Sequence, residues 1–249
     1  MNKQYIIFNL DDTLAHCNKY FDEVIERFAD TMMEWFSDRG VSREQIKRKQ
    51  LDIDLASVHE HGITSAHFPQ SFVDTYEFFC KETATASEPE KAELVRQLGK
   101  SVYDYEVEPF PYMYETLDTL KDEGHELFLH TGGDPLIQRK KISQLQLAAY
   151  FENRVFVSTF KDAKALDKIL GSYPFERSRT WMIGNSIRTD IIPGLENGIN
   201  VIYIPAQSEW QYNIMEIDIE PKGAYLTLQS LNEVPEAIRK YSISNANSS

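Results

Sequence analysis

The feature that most constrains the fold of this sequence is a regular alternation of strand-like and helix-like segments after the proline-containing stretch Val107–Pro111. Short apolar runs predict strands, and longer amphipathic runs predict the helices between them. The predicted elements are the helices Tyr112–Glu123, Pro135–Leu147, Ala163–Leu170 and Arg188–Asn197, and the strands Glu126–Thr131, Arg154–Ser158, Arg179–Ile183 and Asn200–Ile204. Such alternation is typical of an α/β fold with a doubly wound parallel sheet.

The segment before this region has a different character. One strand is predicted near residues 4–10, around the continuous apolar run Tyr5–Phe8. Helical periodicity follows, with a capping box at Ser42–Gln45, an N-cap signal at Ser87–Glu90 and a loop predicted over Ser57–Gln70. The predicted helices carry the apolar residues Phe21, Val24, Ile25, Phe28, Met32 and Phe36; Phe72, Val73, Tyr76, Phe79 and Cys80; and Leu94, Leu98 and Val102. We therefore predict an α/β core in residues 1–15 and 109–240, an inserted helical domain in residues 16–108, and a disordered polar tail in residues 241–249.

Chemically useful side chains follow four of the predicted strands. Asn9 and Asp11 follow the first strand, and Thr131 and Gly132 end the second. Lys161 follows the third strand, and the run Gly184–Asp190 follows the fourth. Ligands of open parallel sheets bind at the carboxyl ends of the strands, so these groups are expected to converge. A hydroxyl, helix N-terminal amides and an ammonium suit a phosphate, and the oxygens of Asp11 and Asp190 suit Mg²⁺.

The order of these residues resembles the haloacid dehalogenase-like (HAD) hydrolase superfamily, in its phosphatase branch with a helical C1 cap. Phe8–Leu14 is similar to the family's first motif, with Asn9 at the nucleophile position and Asp11 at the acid/base position. Thr131 matches the second motif, and Gly184–Asp190 matches the fourth. The third motif is matched by Lys161, with Lys164 as a competing candidate. The string Thr131–Asp134 with Gln138 and Lys141 is also similar to this branch.

The resemblance implies a Rossmann-like core with an inserted helical cap, and it implies Mg²⁺ as the cofactor. It also implies three sets of site residues. These are Asn9, Asp11, Thr131 and Lys161 for catalysis; Thr131, Gly132, Lys161 and Arg188 for substrate binding; and Asn9, Asp11, Asn185 and Asp190 for the metal.

Asn9 stands where the family mechanism requires an aspartate. In that mechanism an aspartate attacks phosphorus and forms an aspartyl phosphate, and a second aspartate protonates the leaving group and then activates water. The amide oxygen of Asn9 is neutral and poorly nucleophilic, and losing a covalent nucleophile costs up to ~10⁶ in rate. Asn9 also removes a negatively charged metal ligand, which should weaken Mg²⁺ binding. It equally removes a repulsion between a carboxylate and a phosphate of at most about 4 kcal/mol, so its net effect on substrate affinity stays open.

Three functions are compatible with this pattern. The leading hypothesis is a Mg²⁺-dependent hydrolase of small phosphorylated metabolites that Asn9 makes inactive or substrate-trapping. The alternative is a natural non-catalytic relative that binds a phosphorylated ligand or partner. A dehalogenase is the third, and Asp11 argues against it because the family's dehalogenases depart from Asp at that position.

Composition limits the partners further. The formal net charge is −13, so a general basic surface for nucleic acid is not expected. Cys17 and Cys80 are the only cysteines, and no signal peptide or membrane-length apolar run is present, which predicts a cytoplasmic protein. A monomer and a homodimer are both compatible with the sequence. We interpret Asp12 as a turn or N-cap residue, and His59 and His61 as loop residues rather than metal ligands, because no third ligand lies nearby.

Overall fold

The computed structural model describes residues 2–246, and the side chains of residues 2–243. Its internal contacts divide the chain into two compact units. The sheet unit extends up to Asn18 and resumes at Val107, and the helical unit is Lys19–Glu106. The boundaries predicted from the sequence lie after residues 15 and 108.

The sheet unit is built on six parallel strands in the order β3-β2-β1-β4-β5-β6. Their bounds are β1 Tyr5–Phe8, β2 Glu126–Gly132, β3 Val155–Ser158, β4 Thr180–Gly184, β5 Asn200–Tyr203 and β6 Tyr225–Thr227. The predicted doubly wound α/β fold is confirmed. Because β1 pairs with both β2 and β4, the carboxyl ends of these three strands lie side by side.

The α-helices occur in both units. They are α1 Asn18–Phe36, α2 Arg43–His61, α3 His67–Glu82, α4 Pro89–Lys100, α5 Met113–Asp122, α6 Pro135–Gln144, α7 Ala148–Phe151, α8 Ala163–Leu170, α9 Ile192–Glu196 and α10 Val234–Ala246. None of the helices formed by residues 2–246 combines the length and the apolar composition that a bilayer crossing requires.

The burial of β1 explains why apolar and polar residues do not alternate in the run Tyr5–Phe8. Ile6, Ile7 and Phe8 are all fully buried. Ile6 and Phe8 belong to one hydrophobic cluster, and Ile7 belongs to a second cluster. Successive side chains of a strand point to opposite faces, so both faces of the sheet are covered and every position is apolar.

Three predictions in the sheet unit need correction. The predicted helix Pro135–Leu147 ends at Gln144, because the chain turns at Gln146 with a φ of 53° before α7 begins. The predicted helix Arg188–Asn197 begins as a wider π-helical turn over Ile187–Ile191 and continues as α9. β6 was not predicted, because Tyr225–Thr227 is a short, half-exposed edge strand without a buried apolar run.

The predicted disordered tail is also partly wrong. α10 continues through Ala246, so residues 241–246 are helical. Tyr241 stabilises this extension, since its ring packs edge-on against Trp181 with centroids 5.2 Å apart. Residues 247–249 of the predicted tail lie outside the described residues.

In the helical unit, the predicted loop Ser57–Gln70 is mostly helix. α2 continues to His61, and Gly62 ends it with a φ of 79°. α3 begins at His67 with Pro69 in its first turn, where the missing N–H of proline breaks no hydrogen bond. His59 and His61 therefore lie in the last turn of α2 rather than in a loop.

The buried face of α4 differs from the predicted face. Leu94 is 49% exposed, while Val95 is fully buried. Gly99 lies on the same face, and a Cβ there would come within 2.7 Å of the Cα of Pro69. The close approach of α3 and α4 at this glycine selects Val95 and Gly99 for the interface.

The buried face of α2 contains polar residues. Ile46, Gln50, Asp54 and Val58 are buried along it, and Gln50 donates to the hydroxyl of Ser71 at 2.9 Å. Burial raises the pKa of Asp54 from 3.8 to about 7. Between these values the folded protein retains a proton that the unfolded chain has released. The contribution of Asp54 to stability is therefore lost as the pH rises from about 4 to about 7.

We predict that Asp54→Asn removes this loss. At about pH 8 the variant should exceed the parent in free energy of unfolding by at most about 4 kcal/mol, and at about pH 4 the difference should be small. Urea titrations followed by circular dichroism at both pH values measure the effect. Asp52→Asn is the matched control, because Asp52 lies exposed on the same helix. Equal pH slopes for Asp54→Asn and the parent would contradict the assignment.

Candidate active site

The candidate site lies at the carboxyl ends of the central strands. Asn9 directly follows β1, and Asn185 directly follows β4. Thr131 and Gly132 end β2, and Lys161 follows β3. The strand order places β1 between β2 and β4, so the residues that follow β1 are flanked by those of both neighbours.

Asn9 is held by hydrogen bonds from both ends of its amide. The oxygen accepts a hydrogen bond from the Lys161 ammonium at 2.8 Å. The nitrogen contacts three oxygens: the backbone carbonyl of Asp11 at 2.7 Å, Oδ1 of Asn185 at 2.9 Å and Oγ1 of Thr13 at 3.2 Å. Asn9 is 6% exposed, so these contacts replace water almost completely.

Lys161 and Asp190 form a buried ion pair beside Asn9. The ammonium contacts Oδ1 of Asp190, and both side chains are essentially inaccessible to solvent. The other oxygen, Oδ2, accepts the backbone N–H of Ser186 at 3.0 Å. Burial raises the pKa of Asp190, while Lys161 and the Ser186 N–H oppose the rise. Lys164, the competing candidate for the third motif, is exposed on α8.

Gly184 makes room for this carboxylate. A Cβ at Gly184 would lie 2.1 Å from Oδ2 of Asp190, far inside van der Waals contact. The π-helical turn then brings Asp190 back toward the end of β4, with the N–H groups of Asp190 and Ile191 both donating to the Ser186 carbonyl. The glycine of the fourth motif is thus required by the position of Asp190.

Asn185 is oriented by Glu209, a residue that was not among the predicted site residues. The amide nitrogen of Asn185 donates to both carboxylate oxygens of Glu209, at 3.1 and 3.2 Å. Asn213 donates to the same carboxylate at 2.6 Å. Burial raises the pKa of Glu209, and the amide donors oppose that rise. Its position after β5, at the carboxyl edge of the sheet, was the one signal in the sequence that could have identified it.

The side chain of Asp11 is bound by α6. Its two oxygens accept from Lys141 at 2.6 Å and from Gln138 at 2.8 Å. Burial opposes the charge of Lys141, but the nearby Asp11 and Cys17 together raise the pKa of Lys141 above its usual range. Lys141 also donates to the sulfur of Cys17 at 3.6 Å. Gln138 and Lys141, which the sequence indicated only through the family resemblance, thus bind Asp11, the predicted acid/base.

Asp12 acts as the turn residue that the sequence predicted. Its carboxylate accepts the backbone N–H groups of Cys17 and Asn18 at 3.0–3.1 Å, where α1 begins. Its φ of 56° lies in the left-handed region that Asp tolerates. Burial raises the pKa of Asp12 to about 7, against the opposing effect of these donors.

The remaining predicted site residues make fewer contacts. Thr131 is buried, and its hydroxyl donates to the Gly132 carbonyl at 3.4 Å. Arg188 is drawn to Tyr212, where it donates to the backbone carbonyl and lies 4.8 Å from the ring centroid. Within residues 2–243, no hydrogen bond or ion pair joins the side chain of Arg188 to the other predicted site residues.

The donor set around Asn9 does not fit a divalent cation. Mg²⁺ requires oxygen ligands, but a nitrogen carrying hydrogens lies at the point where the oxygens of Asp11, Thr13 and Asn185 converge. Residues 2–246 also contain no group of three or more acidic, histidine or cysteine side chains arranged to hold a metal. As the chain stands, the predicted metal site lacks its anionic centre.

Comparisons with known proteins agree with the fold. A model of the haloacid dehalogenase-like hydrolases matches residues 6–204. The pyrimidine 5'-nucleotidase PynA from Streptococcus pneumoniae is 35% identical over 96 residues, 36% of this chain and only 40% of that protein. A haloacid dehalogenase-like hydrolase from Xanthomonas campestris has a TM-score of 0.79 and 22% identity over 99% of this chain and 95% of its own. The magnesium-bound HAD-hydrolase YfnB from Bacillus subtilis has a TM-score of 0.62 and 16% identity over 96% and 99%. At these identities the two structures establish a shared fold.

The buried ion pair gives a test of the site geometry. Lys161→Met should leave the Asp190 carboxylate buried without its cation and lower the free energy of unfolding by about 3–5 kcal/mol. The loss should shrink as the pH falls, because protonation of Asp190 removes the unpaired charge. Urea titrations at two pH values measure both effects. Lys164→Met should leave stability nearly unchanged, and an equal loss in this exposed control would contradict the buried pairing.

Proposed function

Because this chain belongs to the haloacid dehalogenase-like hydrolase family, we propose that its site is organised for hydrolysis of phosphate monoesters of small metabolites. The observation that carries the proposal is the contact between the Asn9 amide oxygen and the Lys161 ammonium at 2.8 Å, at the tip of the central strand. An aspartate at position 9 would present a carboxylate oxygen at this point. It would lie beside the Lys161 ammonium, which would also contact the phosphoryl group of the substrate. With asparagine at position 9, the protein binds a phosphate monoester but hydrolyses it poorly.

Charged groups around the site support an anionic substrate. Lys161 supplies an ammonium on one side of Asn9, and Thr131 supplies a hydroxyl at the end of the neighbouring strand. An ammonium and a hydroxyl are suitable donors to phosphate oxygens. The net charge of −13 does not prevent this, because the Lys161 ammonium lies directly beside Asn9 and is locally available to an anion.

Asp11 is proposed as the general acid and base. Its carboxylate is fixed by Lys141 and Gln138, which hold it in one orientation two residues beyond Asn9. In its protonated form it would give its proton to the leaving-group oxygen, and as carboxylate it would take a proton from the attacking water. Lys141 contacts the carboxylate of Asp11 at 2.6 Å and fixes its orientation, so it is proposed as a positioning residue rather than a catalytic one.

Asn9 blocks the first step of this proposed reaction, the attack on phosphorus. The amide oxygen of Asn9 carries no formal negative charge, so it attacks phosphorus far more slowly than a carboxylate oxygen would. An acyl phosphate forms only from a carboxylate. No step is assigned to Mg²⁺ here, because the residues as they stand do not fit it.

A non-catalytic ligand-binding protein is the second candidate. The observation in its favour is that both ends of the Asn9 amide are satisfied by the surrounding groups. An asparagine forced into an aspartate site would leave its N–H groups without acceptors, and this one does not.

We predict that Asn9→Asp produces phosphatase activity. With Mg²⁺, the variant should release phosphate from p-nitrophenyl phosphate or from a panel of phosphorylated metabolites at a rate at least ~10³ above the parent. Nucleoside monophosphates head the panel because of the partial likeness to a pyrimidine 5'-nucleotidase. Inorganic phosphate is measured colorimetrically.

Two variants control this experiment. The double variant Asn9→Asp/Asp11→Asn should lose the gained activity, because it lacks the acid and base. Asn153→Asp adds the same charge at an exposed position and should behave as the parent. A folded Asn9→Asp variant that is inactive across the panel would reject the phosphatase. Tight binding of a panel member by both parent and variant, without turnover, would then favour the second candidate.

A further inference from the structure

We propose that the side-chain amide of Asn9 takes the place of the divalent cation, so that this chain assembles and stabilises its site without metal. The inference deepens the proposed function, from which the expectation of a cation at this position comes. It explains how the site stays intact although the nucleophile position carries an amide.

The identity of the atoms in the Asn9 amide follows from its neighbours. Lys161 can only donate, so the atom 2.8 Å from its ammonium must be the amide oxygen. The backbone carbonyl of Asp11 can only accept, so the atom 2.7 Å from it must be the nitrogen. The two constraints are independent and agree, so the amide cannot be reversed.

The orientation of Asn185 is fixed in the same way. Glu209 presents two acceptor oxygens to one end of the Asn185 amide, so that end must be its nitrogen. The opposite end, Oδ1, therefore faces Asn9 at 2.9 Å and accepts its N–H. Glu209 thereby keeps an oxygen, rather than a nitrogen, directed at position 9.

The nitrogen of Asn9 consequently lies among oxygens that a cation would otherwise bind. The Asp11 carbonyl and Asn185 Oδ1 each face one of the two N–H groups, and Thr13 adds a hydroxyl oxygen at 3.2 Å. Both amide hydrogens are thus directed at the lone pairs that a metal would need. Mg²⁺ binds oxygen at about 2.0–2.1 Å and demands near-ideal geometry, so it cannot share these oxygens with the amide.

The nearby carboxylates offer the cation no substitute charge. Asp190 is bound by Lys161 and by the Ser186 N–H. Glu209 accepts from Asn185 and Asn213, and the side chain of Asp11 accepts from Lys141 and Gln138. Binding Mg²⁺ would require one of these hydrogen-bonded carboxylates to rotate away from its partners. The site therefore has little attraction for a strongly hydrated dication.

An aspartate at position 9 would make the site attract a cation. Its second oxygen would face the Asp11 carbonyl and Asn185 Oδ1 at 2.7–2.9 Å, with no hydrogen between them. Asn185 could not turn its nitrogen toward this oxygen without directing its own oxygen at Glu209. Only the Thr13 hydroxyl could rotate to donate, at the loss of its 3.1 Å hydrogen bond to Asn185. Buried acceptors without a donor are costly, and a bound cation would remove that cost.

Thermal unfolding with and without Mg²⁺ tests the inference. In EDTA, Asn9→Asp should melt roughly 2–10 °C below the parent, because buried acceptors lose their donor. MgCl₂ at ~100-fold excess over its dissociation constant should restore most of this difference in the variant. The parent should shift by less than about 1 °C under the same conditions, at matched ionic strength.

Asn153→Asp controls for Mg²⁺ that binds elsewhere on this acidic chain, because it carries the added charge at an exposed position. Its response should equal that of the parent. A parent that is stabilised by Mg²⁺ as strongly as Asn9→Asp would overturn the inference, and so would an Asn9→Asp variant that is as stable as the parent in EDTA. Circular dichroism in MgCl₂ shows whether the variant is folded.

The outcome is separable from that of the proposed function. If Asn9→Asp gains the Mg²⁺ response but hydrolyses no phosphate ester, the amide replaces a cation and the phosphatase proposal fails. If Asn9→Asp hydrolyses esters while the parent shows an equal Mg²⁺ shift, the phosphatase proposal stands and the amide does not replace the cation.

Discussion

The pairing of β1 with β2 on one side and β4 on the other is the interaction on which the rest of the structure depends. It makes a four-residue strand the centre of the sheet, with both faces buried. The segment beyond Phe8 must therefore emerge between the ends of two neighbouring strands. The convergence of Asn9, Asn185 and Lys161 follows from this order of strands, although the three residues are far apart in the chain.

The same arrangement explains how a protein of net charge −13 can keep several ionised groups in a buried site. Asp190 and Lys161 neutralise each other, and so do Asp11 and Lys141. Glu209 is satisfied by neutral amides. Burying charges is tolerable only when each has a partner, so the site is a set of mutually dependent pairs. Altering one member leaves another charge uncompensated.

The sequence predicts the sheet well because a buried parallel strand leaves a strong local signal. The run Tyr5–Phe8 is apolar at every position, and the motif residues occupy the ends of such runs. Helix boundaries were less predictable where a residue type is common both in loops and in the first turn of a helix. Pro69 suggests a loop, yet the first turn of α3 accommodates it. The choice of Val95 over Leu94 depends on the approach of α3 at Gly99, a tertiary fact that local periodicity does not contain.

The candidate site was predictable in part. Lys161 and Asp190 lie together as the motif order suggested, although the roles proposed for them remain predictions. Glu209 was not predicted, because a single acidic residue in a long connection forms no local sequence pattern. Only the tertiary fold shows that it binds Asn185. Arg188 was expected at the substrate, but Tyr212 binds it through both its backbone carbonyl and its ring.

The π-helical turn after β4 has a consequence for how this sequence can change. Ile187–Ile191 holds one residue more per turn than an α-helix would, and that residue directs Asp190 inward under Gly184. Deleting one residue between Gly184 and Asp190 would shift Asp190 by one position, which is about 100° around the helix axis. Asp190 would then leave the interior and Lys161 would lose its partner. The distance in sequence between Gly184 and Asp190 is therefore as fixed as the residues themselves.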